Sequence, residues 1–189
     1  PAGLLHPPGP RLAGALDLDR VGAFGHSLGG ATTAEAMFED RRILAGADLD
    51  GLVVDKVKTR GLDRPFLILR QPGHTTSFDP TWKSFLPALR GWHRIVAIAE
   101  SGHYSFADLG LWAKDAGIRR RTTPEQWKLN FGDVDGGRAA ELTREALAAF
   151  FDHHLRGTPL ASILRGPDPR CQGSGERCDR GASRGEASG

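Results

Sequence analysis

A chain of 189 residues with a formal net charge of +2, 39% hydrophobic and 25% charged residues has the length and composition of one soluble globular domain. Its acids and bases are interspersed, so neither a nucleic-acid face nor attraction to an anionic membrane surface is expected. No run approaches the roughly 20 apolar residues of a transmembrane segment, and Pro1–Pro10 lacks the basic-then-apolar order of a signal peptide.

Residues 1–11 are rich in Pro and Gly and are expected to be extended, with Leu12–Leu18 as the end of a helix. Arg20–Gly25 reads as a buried strand, and Ser27–Phe38 as a helix offering Ala31, Ala34, Ala36 and Met37 for packing. Ile43–Leu49 is a second short apolar run, ending in Asp50-Gly51. Phe66–Leu69 is uninterrupted, as expected of a strand covered on both faces. Pro80–Leu89 reads as a helix, with Trp82, Phe85, Leu86 and Leu89 at i, i+3, i+4 and i+7. A fourth strand, Arg94–Ala99, leads into Ser101-Gly102-His103.

Beyond it, Arg119–Arg121 reads as a solvated loop edge. Thr123-Pro124-Glu125-Gln126 carries a capping-box pattern with Pro at the first helical position. Asp133–Gly137 shares part of a calcium-loop pattern but lacks the later ligands, so it is read as a plain turn. Glu141–Leu155 is the clearest helix, with Leu142, Ala146, Leu147, Phe150 and Phe151 on one stripe and Gly157 as a stop. Strands alternating with helices predict an α/β domain with a mostly parallel sheet and flanking helices over residues 1–165. Residues 166–189 contain no Leu, Ile, Val or aromatic side chain and are expected to be a disordered Gly/Arg/Ser-rich tail. The only cysteines, Cys171 and Cys178, lie in that tail at poor metal spacing, so they indicate neither a metal site nor a compartment, cytoplasmic or secreted.

The chemistry is concentrated in Gly25-His26-Ser27-Leu28-Gly29, a G-x-S-x-G motif between a strand and a helix. This is the context of a nucleophile elbow, whose tight turn requires small flanking residues. The motif is short enough to arise by chance in a glycine-rich chain, so the partners of the serine carry the argument. A serine hydroxyl needs a base, and the base an orienting acid, in the chain order Ser, acid, His and at carboxyl ends of strands. His103, a short turn beyond the fourth strand, is the expected base. His26 is expected to point away from the nucleophile's partner, His74 could line the pocket, and His93 lies at the wrong end of the sheet. His153 and His154 end the last helix, where a charge can meet its dipole, and His6 lies in the irregular start. For the acid, Asp50 and Asp79 both follow strands and rank level on spacing. Asp48 shares the parity of Asp50 but lies deeper, where a charge is costlier.

Phe24–Gly30, Gly46–Asp50 and Ser101-Gly102-His103, followed by Phe106-Ala107-Asp108, resemble the platelet-activating factor acetylhydrolase family over residues 17–157. The resemblance implies the α/β-hydrolase fold and a serine esterase. Its triad would be Ser27, Asp50 at the Leu-Asp step, and His103. Ser27 would be acylated by a short acyl ester or a phospholipid acyl group, with the Leu28 backbone N–H as oxyanion donor and no cofactor or metal. Few residues precede the elbow strand, so the chain reads as the carboxyl-terminal half of such a domain without its N-terminal strands. The second oxyanion donor has no visible source, and the elbow strand is expected at a sheet edge. The alternatives are a truncated inactive fragment or non-catalytic binding protein of the same fold, and a peptidase or polyester hydrolase. The oligomeric state is open.

Overall fold

The computed structural model describes residues 14–165, so the expected tail, both cysteines and residues 1–13 lie outside the described residues. Four strands form one all-parallel sheet in the order β1-β2-β3-β4: β1 (Val21–His26), β2 (Ile43–Leu49), β3 (Phe66–Arg70) and β4 (His93–Ala97). Parallel neighbours need long crossovers, and helices supply them: α1 (Leu28–Glu39), α2 (Val57–Arg60) and α3 (Thr81–Ala88). After β4 come a 3₁₀ turn over His103–Phe106, then α4 (Asp108–Trp112), α5 (Pro124–Asn130) and α6 (Gly136–Arg156).

Strand alternation divides the core into two layers. Phe66 and Ile68 of β3 pack with Ala34 and Met37 of α1, Val57 of α2, and Trp82 and Phe85 of α3. Leu67 and Leu69 face the other way, with Ala45, Ala47 and Leu49 of β2 and Ala146 and Phe150 of α6. Both faces of β3 are therefore covered, which explains its unbroken apolar run. A register shift opposite Val21 and Gly22 separates Ile43, in the first layer, from Ala45, in the second. This bulge sets the parity of the rest of β2: Gly46 packs on Met37 of α1, and Asp48 abuts Gly30 of the same helix.

The local chemistry at helix ends follows expectation at Thr123, whose hydroxyl accepts from Gln126 N while its own N–H donates to Gln126 Oε1. Three expectations are corrected. The described part of Leu12–Leu18 is turn rather than helix. The last long helix begins at Gly136, because Asp135 caps it by accepting from Arg138 N; the 133–137 segment is thus half turn and half first helical turn. The fourth strand starts at His93 and ends at Ala97. His93 pairs with Phe66, at the amino end of β3, and so stays remote from the carboxyl ends.

Candidate active site

Three turns leave the carboxyl ends of neighbouring strands in step. Ser27 N donates to Leu49 O (2.9 Å), Asp50 N to Leu69 O (2.7 Å) and Ile98 N to Arg70 O (3.0 Å), so each turn is tied to an adjacent strand, the first two to the next one and the third to the one before. At the first turn, Ser27 has φ 58° and ψ −120°, a sparsely populated conformation for a non-glycine residue. The close approach there requires glycine at two positions. A Cβ on Gly25 would lie 2.3 Å from the Gly29 carbonyl carbon, and one on Gly30 would lie 1.8 Å from Asp48 Oδ1. The expected need for a small residue at Gly29 is not met: among the described residues nothing lies within 4 Å of a Cβ there, which would stand in open space.

Ser27, Asp50 and His103 meet at this edge. His103 Nε2 lies 3.0 Å from Ser27 Oγ, and His103 Nδ1 lies 2.8 Å from Asp50 Oδ2. His103 is presented by the 3₁₀ turn, pinned where Gly102 N donates to Ser105 Oγ and Ser105 Oγ donates to Phe131 O. His26 does not point away as expected. Its Nε2 contacts His103 O at 2.8 Å, and its ring lies 4.6 Å from the His103 ring, centroid to centroid. Burial holds His26 below the usual histidine range, so it braces His103 as a neutral ring.

Asp50 also departs from the strand with positive φ (56°), which aims its carboxylate along the rim. Burial alone would push its carboxyl up. Donors from His103, His74 and the Gln71 backbone outweigh that and hold it at about 2. Gln71 contributes twice, through N to Asp50 Oδ1 (2.9 Å) and Nε2 to Asp50 Oδ2 (3.0 Å). Gln71 escapes sequence reasoning because it is merely the residue after β3, with no motif of its own.

Asp79, the alternative acid, does not reach His103. Its Oδ1 accepts from Thr81 N (2.8 Å) and Thr81 Oγ1 (2.7 Å), which turns its Oδ2 to His74 Nε2 at 3.3 Å. His74 Nδ1 lies 3.0 Å from Asp50 Oδ1, and its ring stacks on Trp82 at 4.3 Å. Asp48 lies beneath, wholly buried; burial pushes its carboxyl up to about 8 even though Gly51 N donates to its Oδ1. His154, expected to bring a charge to the end of α6, is neutral instead, lowered to about 4 by burial against Trp92 and Phe150.

A cavity of roughly 390 Å³ opens above Ser27 and His103. Its rim is apolar, with Leu52, Phe78 (64% exposed) and Leu129, and Asn130 beside them; Gln71, His74 and Asp79 line its depth. That volume suits a small ligand. As the first residue of α1, Leu28 has an N–H with no acceptor inside the helix, at the positive end of its dipole. A hydroxyl, an imidazole and a carboxylate so linked can move a proton off Ser27 while an oxygen of the attacked group approaches Leu28 N–H. Among the described residues, no cluster of three or more His, Cys, Asp or Glu side chains is arranged to hold a metal ion. No helix among them is long and apolar enough to cross a membrane.

Comparison with known proteins follows the same lines. A probable 1-alkyl-2-acetylglycerophosphocholine esterase of Arthroderma benhamiae is 28% identical over 161 residues, covering 80% of this chain and 41% of that protein. The platelet-activating factor acetylhydrolase of Bos taurus is 29% identical over 150 residues, covering 77% of this chain and 32% of that protein. The chain thus spans less than half the length of these curated relatives. Among solved structures, a ferulic acid esterase from Streptomyces cinnamoneus superposes with a TM-score of 0.73 at 35% identity, covering 82% of this chain and 46% of that one. That likeness, with the parallel sheet and its flanking helices, makes this an α/β-hydrolase fold. Residues 10–158 match the family described as platelet-activating factor acetylhydrolase, isoform II, and the chain belongs to that family.

Proposed function

We propose that the chain hydrolyses carboxylic esters through an acyl-enzyme on Ser27. The observation that carries this reading is the continuous hydrogen-bonded path from Ser27 Oγ through His103 to Asp50 at the floor of an apolar-rimmed cavity. His103 Nε2 takes the Ser27 proton as Oγ attacks the ester carbonyl, and the oxyanion receives the Leu28 N–H. The tetrahedral adduct then collapses. The His103 imidazolium protonates the departing alkoxide, and the acyl group remains on Ser27. Water, deprotonated by the same imidazole, releases the acid and restores the hydroxyl. Throughout, Asp50 accepts from His103 Nδ1 and offsets the imidazolium charge.

Short acyl esters, or an acyl group of a phospholipid, are the proposed substrates, supported by the names of the curated relatives. The exposed Phe78 ring and the likeness to a ferulic acid esterase favour a second substrate, an aromatic acyl ester. A panel of p-nitrophenyl acetate, butyrate and palmitate with methyl ferulate tests both, using wild type and Ser27→Ala. Hydrolysis of at least one ester that disappears in Ser27→Ala supports the reading. Equal hydrolysis by both proteins overturns it. The ratio of acetate to ferulate turnover chooses between the two acyl classes.

A further inference from the structure

Behind Asp50 stands a group that the proposed reaction does not use. His74 is 4% exposed, yet both of its ring nitrogens face carboxylate oxygens: Nδ1 to Asp50 Oδ1 at 3.0 Å and Nε2 to Asp79 Oδ2 at 3.3 Å. An ionised carboxylate only accepts, and a neutral imidazole has one N–H. With one N–H the ring would leave a buried carboxylate oxygen facing a lone pair. With both carboxyls ionised, only the doubly protonated ring donates to both sides. Trp82 stacks on the His74 ring at 4.3 Å and 14°, and the Phe78 ring lies 5.5 Å away at 71°. Asp79 is itself fixed by Thr81, through N and Oγ1, at the start of α3.

We propose that His74 is a positioning residue: an imidazolium clamped between Asp50 and Asp79 that fixes the Asp50 carboxylate for His103 and sets the charge His103 feels. This rests on the reading of Ser27, His103 and Asp50 as the reacting array. The clamp occupies Asp50 Oδ1, so the Oδ2 oxygen stays aimed at His103 Nδ1. The charges that bear on it come from several elements. Asp50 lies at the end of β2, Asp79 before α3, and His103 beyond Asp50. Asp48 lies deeper on β2 and is neutral at pH 7, and the Arg70 guanidinium at the end of β3 senses Asp50. With His74 charged, Asp50, His74 and Asp79 together carry one negative charge, which the His103 imidazolium neutralises as it forms. Burial works against a charged His74, but the two carboxylates prevail and raise it above the ordinary histidine value.

The expected effects have opposite signs. His74→Gln keeps a donor but removes the positive charge, so the acid limb of kcat/KM moves up by about one pH unit. Asp79→Asn removes a negative charge, so the limb moves down, by about half a unit. A role limited to packing would lower activity without moving the limb in opposite directions. The experiment is a pH profile of p-nitrophenyl acetate hydrolysis on wild type, His74→Gln and Asp79→Asn, with histidine-selective ¹⁵N and low-field ¹H NMR on the same proteins. Two NMR results support the clamp. One is a His74 ring protonated at both nitrogens at pH 7 in wild type, assigned by its loss in His74→Gln. The other is a low-field His103 Nδ1–H resonance that weakens in that variant. A neutral His74 ring in folded wild type overturns the proposal, as do limbs that stay put or move together. Neither NMR signal requires turnover. A wild type that neither turns over nor takes a fluorophosphonate at Ser27 refutes the esterase reading, while the protonation of His74 still decides the clamp. If both variants fail to fold, the wild-type His74 signal is assigned instead by its through-space contact with the Trp82 ring, and its protonation state decides the clamp.

Discussion

Asp48 in β2 and Asp50 just past its end are two residues apart, yet the floor beneath the elbow and the rim above it treat a carboxyl in opposite ways. On the floor, Asp48 is wholly buried. It receives one hydrogen bond, from Gly51 N, while its Oδ2 has no partner among the described residues; burial prevails, and its carboxyl rises to about 8. At the rim, Asp50 is nearly as buried but accepts from Gln71 twice, from His74 and from His103, and falls to about 2 despite its burial. Burial alone does not decide the state of a carboxyl; the number of donors aimed at it does. The floor therefore holds a neutral acid under a strained turn, and the rim holds an anion facing the His103 imidazole.

The comparison breaks most visibly by neutralising each carboxyl in turn. Asp50→Asn removes the anion behind His103 and is expected to lower kcat by about 10⁴-fold, measured on p-nitrophenyl acetate. A loss of that size from Asp79→Asn with Asp50→Asn nearly normal would reverse the assignment. Trp82 joins the two regions, since its Nε1 donates to Gly51 O (3.2 Å) and its ring lies under His74. Trp82→Ala is expected to cost about 3–5 kcal/mol in urea unfolding, through the cavity it leaves in the first core layer.

The pH dependence of stability sharpens the contrast, because the two groups act with opposite sign. Asp48 has a folded value raised above the usual carboxylate one. Its contribution is complete below about 3.9 and is lost as pH rises through about 8. Asp50 has a depressed folded value. Its contribution is present above about 3.9 and is lost as pH falls through about 2. Unfolding midpoints in urea between pH 2 and 9 should show both limbs. Asp48→Asn should flatten the alkaline one and Asp50→Asn the acid one. The smallest effect is on turnover in Asp48→Asn, which replaces a neutral acid by a neutral amide; kcat should stay within about tenfold of wild type.

Much of the sheet was legible because its strands carry short-range signals. The unbroken Phe66–Leu69 run marks a strand buried on both faces, and Gly25–Gly29 marks a strand that turns sharply into a helix. Spacing alone left Asp50 and Asp79 level. The fold separates them by contacts no local pattern encodes: Thr81 turns Asp79 toward His74, and Gln71 anchors Asp50. The orientation of His26 was misread because it depends on where the turn after β4 places His103, far along the chain. The start of α6 was misread because Gly136-Gly137 looks like a turn, whereas the cap at Asp135 makes it a helix. The bulge near Ile43, which sets the side chains facing α1, leaves no mark in the apolar pattern of β2.

The central claim is that Ser27 is a nucleophile activated through His103 and Asp50. Its most direct test is reaction of the folded chain with a fluorophosphonate, followed by peptide mapping of the adduct across pH 5–9. The account predicts one adduct, on Ser27, whose rate of formation rises with pH along a single limb and falls by orders of magnitude in Asp50→Asn. Folded protein that takes no label at Ser27, or labels equally fast in Asp50→Asn, would contradict it.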